Sequence, residues 1–313
     1  MPKLARKKTI LLKKETTSGT DASPTAADNA VLVREVTVTP IESDEVTRDL
    51  VRGYLGNSDV YLANQRATVT FDVEIQGSGT AGTSVQWGPA LEACGMVHTD
   101  ASTTNTYAPT SDPAAMSSVT IYCNYDGVNH AIVGGRGTFT VTEEVGQIGV
   151  ISFTITGKYA APATVSVPNC VYQNQADPVL FKQDNVTAFE IFGSSLPLQS
   201  WSLDMNNETP YRELVGTTAS KEVLITDRKP AGSLTIEAPT LSAKNFFTIA
   251  TGTATGTNKF IHGTTAGNKV QFSCPYTDIS APTYEESDGI LTMNLPFTAT
   301  PSSGNDELEI KFL

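Results

Sequence analysis

The 313-residue chain is short of the residues that usually carry chemistry, with only three histidines, four cysteines and two tryptophans. His98, His130 and His262 are scattered. Cys94, Cys123, Cys170 and Cys274 stand far apart with no CxxC and no histidine pair nearby, so neither a zinc site nor a redox motif is visible and buried free thiols are expected. There is no nucleophile elbow and no phosphate loop, and Gly77-Ser78-Gly79 lacks the continuation of a dinucleotide fingerprint. An enzyme is therefore not expected, nor a cofactor or metal site; Asp72 and Glu74, on one face of a strand, read as a solvated face. No apolar run reaches the roughly 18 residues of a membrane span, and Met1 to Lys14 lacks the core and cleavage site of a signal peptide. A soluble protein made in the cytosol is expected. Positive charge is scarce too: 21 Lys and Arg against 33 Asp and Glu give a net charge of −12, which argues against a protein that grips DNA. It does not argue against one that DNA slides past.

What the chain does have is alternation, and it has it twice. Thr, Ser, Val and Gly are frequent and turn residues punctuate short apolar runs, which together read as mainly β. The stretch Val119 to Gly157 recurs later without a gap, laying Gly127 on Gly267, Ile132 on Phe272, Phe139 on Ile279, Gly149 on Gly289, Phe153 on Met293 and Ile155 on Leu295. Upstream, Arg48-Asp49-Leu50-Val51 answers Arg212-Glu213-Leu214-Val215, and Thr70 to Glu74 answers Ser233 to Glu237. A loop from about His98 to Ser117 is missing from the second copy. The expected organisation is a basic arm and linker (1–30), a first domain (31–160), a connector (161–188) and a second domain (189–313).

Ala67 to Gln76 is the clearest strand, with Val69, Phe71, Val73 and Ile75 on one side and Thr70, Asp72, Glu74 and Gln76 on the other. A short helix follows, with Ser84 as its candidate N-cap, a stripe of Trp87, Leu91 and Cys94, and Gly95 as its stop; Ser242 to Ala250 is its counterpart. Ser43 to Tyr54 and Asn206 to Thr217 read as long ordered loops, since Pro210 interrupts the second. Asp126-Gly127 reads as a hairpin turn, and Gly134 to Gly137 as a break in the sheet.

Residues 1–30 differ in kind from the rest. Lys3, Arg6, Lys7, Lys8, Lys13 and Lys14 surround a small apolar patch of Ile10, Leu11 and Leu12, and a polar linker follows. Alone, such a segment is expected to be disordered. It reads as a floppy tail, a nucleic-acid arm or an arm that docks on the acidic body of a neighbouring copy, and the charge mismatch within the chain favours the last: an inter-ring arm ordered only on assembly.

These residues carry a family resemblance. Gly53-Tyr54-Leu55-Gly56, Phe71 to Ile75, Trp87 to Gly95, Ile225-Thr226-Asp227-Arg228-Lys229-Pro230-Ala231-Gly232-Ser233 and Ser303 to Leu308 resemble the major tail tube proteins of long-tailed bacteriophages, those with non-contractile tails in particular. The resemblance, one of order and phrasing over Val31 to Leu313, implies tandem tube-type β-sandwich or barrel domains, each with a flanking helix. It implies self-association into stacked rings of a virion tail, with three two-domain chains standing in for six single domains. By the same resemblance the partners are further copies of the chain, a tape measure protein, a tail terminator and distal tail proteins, with DNA passing through unbound. Asp72, Glu74, Thr138, Thr140, Ser152, Thr154, Thr235, Glu237, Thr292 and Asn294 are the expected luminal residues, because they lie opposite the apolar faces of core strands. The competing reading is a carbohydrate-binding β-sandwich adhesin, with Tyr107, Tyr159, Tyr172 and Tyr276 as its loop aromatics.

Overall fold

The computed structural model describes residues 2–216 and 221–313. Nearly all regular structure is antiparallel β, as the alternating sequence requires; the two helices, Gly88–Ala93 and Phe246–Ala250, are short. The strands form two packed layers. In the front layer Glu35–Thr47 pairs with Val60–Glu74, which pairs with Val150–Tyr159, which pairs with Val128–Glu144. The same order recurs in the second half: Leu198–Asp204 with Ala231–Glu237, Ala231–Glu237 with Ile290–Ala299, and Ile290–Ala299 with Val270–Ile279 and its continuation Thr283–Ser287.

The registers of the two halves match residue for residue. Thr70, flanked by Thr37 and Thr154, corresponds to Ser233, flanked by Ser202 and Pro296. Phe153 therefore corresponds to Leu295, and the gap-free alignment that laid it on Met293 is out of register by two residues. The physical reason is the strand period of two: a slip of two keeps every side chain on its own face, so the pattern alone does not detect it.

The back layer repeats as well. Lys8–Lys14 pairs along its whole length with Val119–Tyr125, itself paired with the first half of Val128–Glu144. In the second half Val186–Ile191 pairs with Gly256–His262, which pairs with Val270–Ile279. The basic segment is thus the counterpart of Val186–Ile191, not a separate arm. Ile10 and Leu12 pack into the core of their own chain and Leu11 is buried as well, so the expectation that this segment is disordered alone is corrected. Three adjacent apolar side chains next to charged neighbours read as a tail; only a sheet edge in need of a strand explains them.

Val128–Glu144 serves both layers because it bends. Its register with Val150–Tyr159 shifts between Val133 and Arg136, Gly134 has φ +68°, and a Cβ on Gly137 would lie 1.9 Å from the Thr154 carbonyl oxygen. These glycines bend a continuous strand where the sequence suggested a break. Between the layers sit the aromatic cores. Phe71 stacks on Phe153 at 5.3 Å, and Trp87, just ahead of the first helix, meets Phe153 and Phe312. Trp201 meets Phe260, Phe272 and Phe297.

Several local expectations also change. Ser84 does not cap the first helix; its hydroxyl bonds instead to Asn105, whereas Asn245 caps the second through Thr248 N–H. The segment expected as a loop after His98 contains a hairpin, Met96–Ala101 with Thr104–Pro109, whose second strand pairs with Glu309–Phe312 and so ties the first half to the end of the chain. Ser43 to Thr47 extends a strand, and Tyr211–Glu213 pairs with Lys221–Val223. Each half thus pairs strands where a loop was expected; of the second expected loop, Thr217 lies outside the described residues.

Candidate functional site: a polar sheet face between two open edges

The front layer is continuous across the two halves. Thr140–Glu144 pairs with the strand Leu198–Asp204 in five steps, from Ser200 opposite Glu144 to Asp204 opposite Thr140. Residues directly opposed in antiparallel pairs share a face, so the side chains of this sheet can be followed across it. One row runs Glu35, Asp72, Ser152, Thr140, Asp204. Others hold Thr70, Thr154 and Thr138, then Ser200, Thr235 and Asn294, then Glu237 with Thr292 and Glu285. Glu74 lies two residues along from Asp72 and so on the same face.

All ten residues expected to act together therefore lie on one face of one sheet. Thr154 and Glu237 are exposed, Thr292 is buried, and the rest are half-buried. The face is hydroxyl-rich and acidic, with Glu35, Asp72, Glu74, Glu144, Asp204 and Glu237 on it. Opposite them Val69, Phe71, Ile151, Phe153, Val141, Leu203, Leu234 and Leu295 are buried in the core. At one end the face is closed: Arg136 is buried and donates to the carbonyls of Met116, Ser117 and Val223, which fixes the second hairpin over the sheet.

The join between the halves is dry beneath. Trp201, opposite Glu143, is buried and donates from its indole N–H to Asn258. Glu143 is fully buried, as is His262, whose Nδ1 lies 2.7 Å from a Glu143 carboxylate oxygen while Nε2 lies 3.0 Å from the Val179 carbonyl. Burial pushes the Glu143 carboxyl up from its ordinary value, and the His262 hydrogen bond and charge partly oppose that rise. A Cβ at Gly149 would sit 2.2 Å from this carboxylate, so glycine makes the room for it.

The strands that occupy the same positions at the outer limits of the sheet are open. Glu35–Thr39, the counterpart of Ser200–Asp204, is paired on one side only, and so is Thr283–Ser287, the counterpart of Thr140–Glu144, among the described residues. Prolines bound both: Pro40 stands where Met205 stands in the joined copy, and Pro282 where Phe139 stands. In the joined copy Met205 N–H donates to the Phe139 carbonyl, a bond that proline cannot make. Near the open edges Tyr284 and Leu291 are 52% and 54% exposed.

Four of the six basic residues of the N-terminal segment, Lys3, Lys7, Lys8 and Lys14, make contacts within the chain. Lys7 pairs with Asp126, which also accepts from Leu4 N–H, and these contacts hold its carboxyl below the usual range, the Leu4 bond first. Lys3 donates to the Asp126 carbonyl, Lys14 pairs with Glu92, and Lys8 lies over the Tyr125 ring. Arg6 is exposed and Lys13 half-buried. Of the tyrosines considered for sugar binding, Tyr107 is buried against His98 and Phe312, which removes it from that set. Burial also pushes the Cys123 and Cys274 thiols up to about 12, and that of Cys94 further. No group of three or more His, Cys, Asp or Glu among the described residues is placed to hold a metal ion, and no helix among them is long and apolar enough to cross a membrane.

Sequence reasoning missed the open edges and the hairpins, since neither has a composition of its own. The hairpin ends carry a readable signal, the repeated Arg-Asp/Glu-Leu-Val, and Val51 and Val215 there are fully exposed.

Two packed antiparallel layers, one with a polar outer face and open edges, define a β-sandwich. The chain matches the family model described as phage tail tube protein over residues 5–300, and it belongs to that family. It is accordingly a structural component of a bacteriophage tail. No curated protein matches it.

Proposed function

We propose that three copies of this chain close a ring by repeating between copies the join that each chain makes within itself, and that stacked rings form the tube through which viral DNA passes. The single observation that carries this reading is the open pair of edges: each is the structural counterpart of a strand that is paired inside the chain. Transferring the internal register sets Glu35 opposite Ser287, Val36 opposite Glu286, Thr37 opposite Glu285, Val38 opposite Tyr284 and Thr39 opposite Thr283 of the next copy. Two domains per chain then give a three-fold ring with pseudo-six-fold geometry. The domains begin at the strands Lys8–Lys14 and Val186–Ile191, since these are equivalent.

In such a ring the polar face bearing Asp72, Glu74, Thr138, Thr140, Ser152, Thr154, Thr235, Glu237, Thr292 and Asn294 lines the channel. Its acids repel phosphate, so the duplex slides without being gripped. Ring-to-ring contact falls to the exposed apolar hairpin ends around Leu50, Val51, Leu55, Leu214 and Val215, because Ile10, Leu11 and Leu12 are already used in the core. A tape measure protein inside, with a terminator and distal proteins at the ends, completes the setting that the family implies.

Oxidative crosslinking of the Thr37→Cys, Glu285→Cys double variant tests the ring. Opposed residues in a non-hydrogen-bonded pair are close enough to bridge, so a non-reducing gel of assembled protein is expected to show a ladder that stops at the trimer, with each single variant as control. A ladder that continues to six, or assembled tubes that do not crosslink, would overturn the reading.

A further inference from the structure

The internal join also shows what the open edge is built to receive. Inside the chain the residue opposite Trp201 is Glu143, whose carboxylate runs beneath the sheet to His262. At the open edge its counterpart is Glu286, which is exposed and forms no ion pair among the described residues. The counterpart of His262 follows from the back layer. His262 ends a row with Val186 and Val270; in the first half that row is Lys8, Tyr125 and Val128. Where the closed join offers a histidine flanked by valine, the open one offers a tyrosine flanked by lysine.

We propose that Glu286 of one copy enters the slot of Lys8 and Tyr125 in the next copy and forms there the intermolecular counterpart of the Glu143–His262 contact. This rests on the ring reading above and adds its selectivity determinant. Charge is complementary on both sides: Arg6, Lys8 and Arg34 line a cleft of about 370 Å³ beside Val36, with Glu35 in its lining and Glu74 3.9 Å from Arg34 Nε as the acids beside them, and the entering edge carries Glu285, Glu286 and Asp288.

The isolated chain already shows the slot in a closed state. Lys8 Nζ and the Tyr125 hydroxyl both donate to the Val36 carbonyl, at 3.1 and 3.3 Å. That carbonyl belongs to the edge that must pair. In the internal join Met205 N–H donates to Phe139 and Val145 N–H to Gln199, and alternation of bonded pairs then makes Trp201 with Glu143 a bonded pair. Val36, in the place of Trp201, therefore presents its N–H and carbonyl to the neighbour. In the free chain the carbonyl is occupied by Lys8 and Tyr125, which keeps a bare edge from pairing indiscriminately. On assembly the Glu286 N–H takes over the carbonyl, and the released Lys8 ammonium meets the Glu286 carboxylate as it leaves water. Lys8 thus guards the edge in one state and selects the partner in the other.

The test uses full-length Glu286→Lys, Lys8→Glu and the double variant, in which the opposite charges meet again between copies. Sedimentation and electron microscopy at physiological salt are expected to show a rise of at least about tenfold in the concentration needed for ring and tube formation for each single variant, with far-UV circular dichroism unchanged, and recovery to within about threefold of wild type in the double. Glu286→Gln is the milder variant, at an exposed position that leaves the fold intact, and is expected to assemble less well and with a flatter salt dependence. Rings of the Thr37→Cys, Glu285→Cys protein that crosslink while both single charge variants assemble normally, or while their double fails to recover, would overturn this inference and leave the ring reading standing. Failure of that crosslink in tubes assembled from the Thr37→Cys, Glu285→Cys protein, with its charged residues otherwise unchanged, overturns the ring reading itself.

Discussion

The closed join and the open edges occupy equivalent places in the two halves, yet their residues differ in kind. Where the chain joins itself, Trp201, Leu203, Met205, Phe139 and Val141 make a dry seam, and one buried Glu–His contact spans it. Where the chain awaits another copy, Val36, Val38, Pro40, Pro282, Tyr284 and Glu286 stand at those positions. A permanent seam forms with the fold and never faces water, so it tolerates bulk apolar side chains. An edge exposed before assembly must stay soluble and must not pair with the wrong strand, hence smaller apolar residues, charge, and prolines that limit the pairing to five residues. The same position in a repeat is thus tuned by when it is buried.

Breaking the closed seam has the largest expected effect. Trp201→Ala removes the side chain that packs on Phe260, Phe272 and Phe297, and a loss of about 3–5 kcal/mol is expected in denaturant unfolding of the monomer. The matching change at the open edge, Val36→Ala, should cost the monomer far less. Equal losses would erase the distinction between the two joins.

Comparison of the first strands of the two halves comes next. Leu12 and Ile191 are both buried and occupy equivalent positions. Leu12→Ala and Ile191→Ala are each expected to cost about 2–4 kcal/mol, within the range for buried large-to-small changes, as read by chemical denaturation. Were Leu12→Ala silent in the monomer, the N-terminal strand would be an addition to the fold and not its first element.

The smallest effect sharpens the chemistry of the seam. The folded Glu143 carboxyl binds its proton more tightly than the unfolded one, so this group's contribution to stability is fully present below the ordinary carboxyl value of about 4.5 and is lost as pH rises through the raised folded value. Glu143→Gln, which has no carboxyl to titrate and can donate to His262 Nδ1, is expected to keep the fold and flatten stability against pH above that point. An unchanged pH profile in thermal unfolding would show that the Glu143 carboxyl does not titrate there.

Local pattern was enough to read the strand-rich class, the repeated unit, the polar faces and the burial of Cys94, Cys123 and Cys274, whereas Cys170 is only half-buried. Val69, Phe71, Val73 and Ile75 against Thr70, Asp72 and Glu74 need only a period of two to separate core from surface, and the Arg-Asp/Glu-Leu-Val repeat survives at both hairpin ends. What period two does not contain is register beyond parity, so alternation alone lays Phe153 on Met293, two residues from its counterpart Leu295. Nor does it contain the partner of an edge: Ile10, Leu11 and Leu12 look like an arm until Val119–Tyr125 is seen to lack a strand on that side.

The sequence by itself determined which side of each strand meets water and that the chain is built twice, because both are fixed by residues near one another along the chain. Only the tertiary structure decided that Lys8–Lys14 is a core strand, that Glu143 meets His262 beneath the joined sheet, and that Glu35–Thr39 and Thr283–Ser287 are each paired on one side only among the described residues. Those facts depend on hydrogen bonds and contacts between residues more than a hundred positions apart, and long-range pairing leaves no periodic trace in either partner alone.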